Sequence, residues 1–235
     1  MKVSQVIPVT SNVWELILMP KKNGQLFSYL PGQFLFLTLL RGRGLPNEEH
    51  PFTISSSPSE ADHISVAVKE SGDFTQLIGQ TISGDDAAVL APYGRFSFML
   101  HPERKRTVFI AGGIGITPLL SMLRYMTHCR MQRSAYLFYA NRTEPDIAFR
   151  DELEAMTEDE STPRLNLIHV LSKPGEVWTG EKGRLNGEIL SRHLGGFGDT
   201  AFYICGPPPM MNSVATVLLL GGAVAGDVHM ERFSL

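Results

Sequence analysis

The stretch Val108-Phe109-Ile110-Ala111-Gly112-Gly113-Ile114-Gly115-Ile116-Thr117-Pro118 decides how the second half of this chain is read. Its first four residues are an unbroken apolar run, the pattern of a parallel strand buried on both faces. Glycines follow, and they let the backbone turn tightly and approach a ligand closely. A helical pattern then runs from Pro118 to about Cys129. Strand, glycine turn and helix in that order offer unpaired N–H groups and a partial positive charge, which suit a phosphate. Thr117 is expected to cap the helix and Pro118 to sit in its first turn. The order Gly-Gly-x-Gly-x-Thr-Pro is not the Gly-x-Gly-x-x-Gly dinucleotide fingerprint. On this loop alone, a glycine turn without a ligand stays open as an alternative.

Working outward toward the C-terminus, strand and helix alternate. Ala135 to Ala140, Leu165 to Leu171, Ala201 to Cys205 and Val228 to Phe233 read as strands. Ile147 to Met156, Asn186 to Leu194 and Met210 to Leu220 read as helices. That alternation predicts an α/β domain built on a parallel sheet. Toward the N-terminus the grammar is different. Val13 to Leu18, Phe34 to Leu39, Phe52 to Ile54 and Ile64 to Lys69 are short, rich in β-branched and aromatic residues, and punctuated by Gly and Pro. Ile64, Val66 and Val68 alternate with Ser65, Ala67 and Lys69, as on a strand with one buried face. Such strands at close spacing predict an antiparallel β-barrel. The charged run His101 to Arg106 reads as a linker. The expected architecture is therefore two domains, a β-barrel over 1–101 and a parallel-sheet α/β domain over 102–235.

Composition narrows the function. The chain has 235 residues, 43% of them hydrophobic and 19% charged, which are globular values. A net charge of −3 argues against a nucleic-acid or anionic-membrane binder, which needs a basic field. The two cysteines, Cys129 and Cys205, cannot build a disulfide framework, a four-cysteine zinc site or an iron–sulfur cluster. No metal site is expected. The N-terminus lacks an apolar run, and the apolar stretch from Val214 to Gly226 is too short to span a bilayer. A soluble, cytoplasmic protein is the expectation.

Four motifs, in order across nearly the whole chain, carry a resemblance. The glycine loop resembles the nicotinamide-dinucleotide pyrophosphate loop of the ferredoxin–NADP reductase superfamily. His50-Pro51-Phe52-Thr53-Ile54-Ser55-Ser56 is similar to its flavin-binding segment, in the form seen in ferric reductases. Val68-Lys69-Glu70-Ser71-Gly72-Asp73-Phe74-Thr75 is similar to its Gly-x-x-Ser/Thr segment. Tyr203-Ile204-Cys205-Gly206-Pro207-Pro208-Pro209-Met210-Met211 is similar to its Cys-Gly-Pro segment.

The resemblance implies a role for each piece. Thr53 would hydrogen-bond near flavin N5, and Phe52 would cover one face of the ring. His50 and Pro51 stand where the commoner form has Arg, which faces the flavin pyrophosphate. Histidine is charged only part of the time near neutral pH, so FMN or a loosely held flavin stays open beside FAD. Val68 and Lys69 are candidate cofactor-binding residues, and Gly72, Phe74 and Thr75 would take the diphosphate. Gly112, Gly113, Gly115, Thr117 and Pro118 would hold the nicotinamide dinucleotide. Cys205, Gly206, Pro207 and Met210 would shape the nicotinamide site, with Cys205 beside the reacting carbon but not as a nucleophile. Near the C-terminus Glu231 would tune charge at the flavin, and Phe233 would lie where the nicotinamide enters. For Phe52, Cys205 and Phe233 a plain core position is the alternative.

Ser172 and Lys173 follow the third strand of the α/β half, where the family meets the adenosine ribose. Lys173, joined by Arg142 and Arg184, would supply cations for a 2′-phosphate, which favours NADPH over NADH. The implied activity is hydride transfer from NAD(P)H to FAD, with electrons passed to a separate acceptor. That acceptor is expected to be a ferredoxin-like or other redox protein, or a ferric chelate. Two alternatives remain at this point. One is a reductase of free flavin, and the other a non-catalytic, electron-wiring subunit.

Overall fold

The structure, a computed structural model, describes residues 1–21, 24–101, 104, 106–158 and 164–233. Six strands, β1 (Lys2–Thr10), β2 (Val13–Met19), β3 (Phe34–Leu40), β4 (Glu49–Thr53), β5 (Ile64–Lys69) and β6 (Asp86–Tyr93), form one antiparallel sheet. Its order is β4-β3-β6-β1-β2-β5. The two ends meet: Ile54 bridges Val66, and the Ser55 N–H donates to the Ser65 carbonyl at 2.8 Å. The sheet thus curls into the expected barrel around Leu16, Leu18, Leu35, Leu37, Leu39 and Val66.

β5 departs from its expected pattern. Ile64, Val66 and Val68 are buried, but Ser65 and Ala67 are buried too. The outer face of this strand lies under the second half of the molecule, where the Ser65 hydroxyl meets Ser55 and Arg124.

The second sheet contains β7 (Arg106–Gly112), β8 (Ala135–Asn141), β9 (Leu165–Leu171), β10 (Glu181–Lys182), β11 (Thr200–Cys205) and β12 (Val228–Glu231). All its pairings are parallel, in the order β10-β9-β8-β7-β11-β12. Helices α1 (Ile116–His128) and α2 (Arg150–Glu158) cover one face. Helices α3 (Gly187–Leu194) and α4 (Pro208–Leu220) cover the other. Burial on both faces explains the unbroken apolar run that opens β7. Asn186 caps α3 through the Ile189 N–H, and Gly195 ends that helix in the left-handed region.

Several boundaries differ from expectation: β4 already begins at Glu49, α1 at Ile116 and α4 at Pro208. α2 starts at Arg150, because Glu144–Asp146 forms its own 3-10 turn, boxed by Thr143 and Asp146, and Phe149 sits at φ 59°. β12 ends at Glu231, short of Phe233. Within the charged run, Pro102, Glu103 and Lys105 lie outside the described residues. Arg106 belongs to β7, and its guanidinium holds the carbonyls of Leu194 and Gly196. Arg104 pairs with Asp227 at 2.9 Å.

The strand order fixes where a ligand can sit. The chain builds outward from β7 through β8 to β9, then returns to place β11 on the other side of β7. The connections at the carboxyl ends of β7 and β11 therefore diverge, which opens a crevice between them.

Candidate active site

The crevice is built from two loops that touch. A Cβ on Gly115 would fall 2.3 Å from the Cys205 carbonyl oxygen, and one on Gly112 would fall 2.7 Å from Pro207. Gly206 approaches Gly112 in the same way. These three glycines let the loop after β7 and the loop after β11 pack backbone against backbone. Gly113 is different. It has φ 52° and open space where a Cβ would be, and its carbonyl is held by the Tyr139 hydroxyl at 3.2 Å.

Thr117 does not cap α1. It lies inside the helix, and its hydroxyl donates back to the Ile114 carbonyl at 3.1 Å. The cap position is Gly115, which has no side chain to offer, so the first N–H groups of α1 lack an internal side-chain partner. Pro118 occupies the first turn, as expected.

A cavity of about 800 Å³ opens over these loops. Its lining includes Gly112, Gly113, Arg142, Ser172, Arg184, Pro207 and Met210, drawn from the carboxyl ends of four strands of the parallel sheet and the β10–α3 connection. Asn12, Val13 and Lys69 enter it from the barrel, so the cavity spans both halves of the chain. The sequence reading missed Asn12, Asp146, Ala148 and Ser213, which also line it and belong to no motif. Lys173 is exposed and outside the lining, and its N–H donates to the Arg142 carbonyl at 2.7 Å. The arginines, rather than the lysine, carry the positive charge at this wall.

Gly115, Thr117, Pro118 and Cys205 lie beneath the cavity floor. Cys205 is fully buried, and burial together with the nearby Glu231 pushes its thiol well above the ordinary range. It stays protonated at neutral pH and cannot act as a thiolate. Glu231 pairs with Cys205 across the β11–β12 ladder, and burial raises its carboxyl as well. Phe233 is exposed beyond the end of β12.

The remaining predicted residues form a second group on the barrel. His50 and Phe52 share one face of β4, and Phe74 stacks on His50 at 4.1 Å between centroids. His50 Nε2 lies 3.0 Å from Glu48. Pro51 is exposed, and Val68 is buried beside Lys69. Thr75 closes its own turn: its hydroxyl accepts the N–H groups of Ser71 and Gly72, both at 2.9 Å. Thr53 is nearly buried at the end of β4, and no hydrogen bond holds its hydroxyl among the described residues. The hydroxyl oxygen itself is not sealed from solvent, so a ligand at this end of β4 can reach it.

Residues 1–117 match the family of FAD-binding domains, and residues 109–216 match the oxidoreductase NAD-binding domain family. The reductase component of propane 2-monooxygenase from Mycolicibacterium smegmatis is 30% identical over 99% of this chain and 67% of its own length. The chain belongs to the ferredoxin–NADP reductase superfamily.

Solved structures agree on the fold. The cytochrome b5 reductase domain of Ulva prolifera nitrate reductase superposes with a TM-score of 0.84 at 24% identity, covering 98% of this chain and 95% of that one. Phthalate dioxygenase reductase, described as modular for electron transfer from pyridine nucleotides to [2Fe-2S], gives 0.75 at 25% identity, covering 98% and 66%. The curated relatives are longer, and this chain spans between about half and two thirds of their length. As a member of this superfamily, the chain is an NAD(P)H-dependent flavoprotein reductase that uses FAD. No helix among the described residues is long and apolar enough to cross a membrane.

Proposed function

We propose that this protein takes hydride from NADPH in the cavity above the parallel sheet and delivers the electrons to a separate redox protein. The observation that carries this reading is the cavity itself. It opens at the point where strand order reverses, and the flavin-side strands contribute Val13 and Lys69 to its wall. The division of labour follows the two units, residues 1–101 for flavin and 102–235 for nucleotide.

Bound FAD would supply the hydride acceptor and the means of passing electrons onward. The protein's residues bind and orient. Gly112, Gly113 and Ile114, which line the cavity just before α1, receive the dinucleotide pyrophosphate, over a floor shaped by Gly115, Thr117 and Pro118. Arg142, Arg184 and Ser172 receive the ribose 2′-phosphate. Pro207 and Met210 border the nicotinamide, and Cys205 supports that loop from below as a neutral thiol. Thr53 offers its unpartnered hydroxyl to N5. Phe52, Phe74 and Val68 supply apolar contact, and His50, Gly72 and Thr75 lie toward the flavin phosphates. Glu231, its carboxyl pKa raised by burial, tunes the charge near the reacting rings.

The two cysteines cannot ligate an iron–sulfur cluster, so the next electron carrier lies outside these 235 residues. The monooxygenase reductases among its relatives make an oxygenase component, or a cluster protein that feeds one, the preferred acceptor.

The test is an absorbance spectrum of the purified protein, then anaerobic titration with NADPH and with NADH. A flavin spectrum bleached faster by NADPH is expected. Arg184→Glu should raise KM for NADPH at least about tenfold and leave KM for NADH within about twofold, since one charge-assisted contact contributes ~1.5–3 kcal/mol. The exposed Lys173→Glu should do much less. Equal effects of Arg184→Glu on both nucleotides would remove the 2′-phosphate assignment.

A further inference from the structure

Arg124 sits on α1, the helix that begins in the glycine loop. Its Nε and Nη2 donate to both oxygens of Glu152 on α2, at 2.6 and 2.8 Å. Its Nη1 turns the other way, into the barrel. There it meets Glu15 Oε1 on β2 at 3.1 Å, the Ser55 carbonyl at 3.0 Å and the Ser65 hydroxyl on β5 at 3.3 Å. The Phe149 ring lies 5.3 Å from the guanidinium. The side chain is only 12% exposed. Burial opposes its charge, but Glu152 and Glu15 outweigh that and hold it protonated. One turn earlier, the Ser121 hydroxyl donates to the Ser56 carbonyl at 2.7 Å in a buried contact.

Every partner lies close in the chain to the proposed site. Val13 and Lys69 pair directly and both line the cavity. Glu15 and Ser65 belong to the same two strands. Ser55 follows Thr53 by two residues, and Phe149 follows the cavity residue Ala148. One guanidinium thus ties the strands that would carry the flavin to the helix and the α2 turn that would carry the nucleotide.

We infer that Arg124 is a positioning residue: it sets the separation and angle between the flavin-bearing strands and the nucleotide-bearing loop, and so governs the hydride-transfer step rather than nucleotide affinity. The inference rests on the function proposed above. Hydride transfer depends steeply on geometry, and a misplacement of 1 Å can cost about a hundredfold. An exposed ion pair would not fix position so well, because solvent and salt loosen it. Here the Arg124–Glu15 pair is buried, and the guanidinium joins α1 to α2, β2 and β5. Removing Arg124 would leave Glu15 and Glu152 facing each other without a cation between them.

The test uses the full-length flavin-loaded protein with Arg124→Met, Arg124→Lys and Glu15→Gln. Arg124→Met should lower the limiting rate of anaerobic flavin reduction by NADPH at least about tenfold. The Kd for NADP⁺ should stay within about twofold, because the cavity's own contacts are untouched. Amide exchange should rise together in residues 55–69 and in α1, the two sides of the seam. Arg124→Lys keeps the charge without the fork and should recover part of the rate. Glu15→Gln leaves the Arg124–Glu152 pair in place, so it serves if Arg124→Met does not fold, and should show the same split between rate and affinity. Wild-type rates in Arg124→Met or Glu15→Gln would overturn the inference. So would a rate loss that merely tracks a loss of NADP⁺ affinity, or unchanged exchange at the seam. Failure of the underlying function reading would show separately, as a wild-type flavin that neither nucleotide reduces.

Discussion

At the scale of single residues, the sharpest claim concerns Thr53. The residue is nearly buried, but its hydroxyl still reaches solvent and has no partner among the described residues, so the fold gains nothing from it. Thr53→Ala should therefore leave the melting temperature unchanged. It should slow anaerobic flavin reduction about tenfold, the rate equivalent of one hydrogen bond of ~1.4 kcal/mol. Stopped-flow measurement of flavin bleaching checks this, and Thr53→Ser should restore the rate. Cys205 gives a contrasting case. It is fully buried, and its thiol is held up by burial and by Glu231, whereas Cys129 is exposed. At pH 7.5 the folded protein should therefore take up one equivalent of a thiol reagent, at Cys129, and a second only in denaturant. Rapid labelling of Cys205 in the folded protein would remove its assignment as a neutral support.

At the scale of elements, β12 and β9 each carry a histidine whose environment resists protonation. His229 stacks on His101 at 3.7 Å and on Tyr203 at 4.8 Å. Burial and the neighbouring His101 bring its pKa down to about 4. His169, beside Arg150, is likewise brought down to about 4, chiefly by burial. In the unfolded chain both titrate near ~6.5. Between those values the unfolded state binds more protons than the folded one, so stability must fall as pH drops from about 6.5 toward 4. Urea unfolding at pH 7.0, 5.5 and 4.5 should show that decline, and the double variant His229→Gln/His169→Gln should flatten it. A parallel decline in the double variant would place the acid sensitivity elsewhere.

Elements also show what the sequence could and could not disclose. The bounds of β5 and β9 were readable to the residue, because both are short stretches rich in Ile, Val and Leu and bounded by turns. β1 was not legible: of its nine residues Lys2–Thr10 only Val3 is buried, and Pro8 interrupts the pattern. β6 hid behind three alanines and Pro92, and β10 is two residues held by Val170 and Leu171. The glycine loop, the Thr53 strand and the Cys205 loop were visible as motifs, because close backbone approach leaves Gly and Pro in fixed order. Arg124, Glu15 and Glu152 left no such trace. Their roles depend on three elements converging in space, and spacing along the chain does not encode that.

At the scale of the whole molecule, function depends on two units behaving as one body, and a glycine at their seam tests this independently of Arg124. Gly32 precedes β3 with φ 96°. A Cβ there would fall 2.2 Å from the Phe96 carbonyl oxygen and 2.5 Å from the Met122 methyl on α1. The barrel loop thus lies backbone-close to the Phe96 segment, whose ring packs on Tyr203 of the parallel sheet, with the Met122 methyl of α1 beside it. Gly84 has a similar φ of 94° but lies in open space. Alanine at either position costs ~1–2 kcal/mol for the left-handed backbone alone. Gly84→Ala should show only that cost in urea unfolding, with the rate of flavin reduction unchanged. Gly32→Ala must also push the loop off the Phe96 carbonyl and so disturb the Phe96 packing on Tyr203, so it should destabilise further and slow flavin reduction by about tenfold or more. If Gly32→Ala lost stability no more than Gly84→Ala and reduced flavin at the wild-type rate, the seam would be compliant. The relative placement of the two cofactors would then have to be imposed by the ligands themselves.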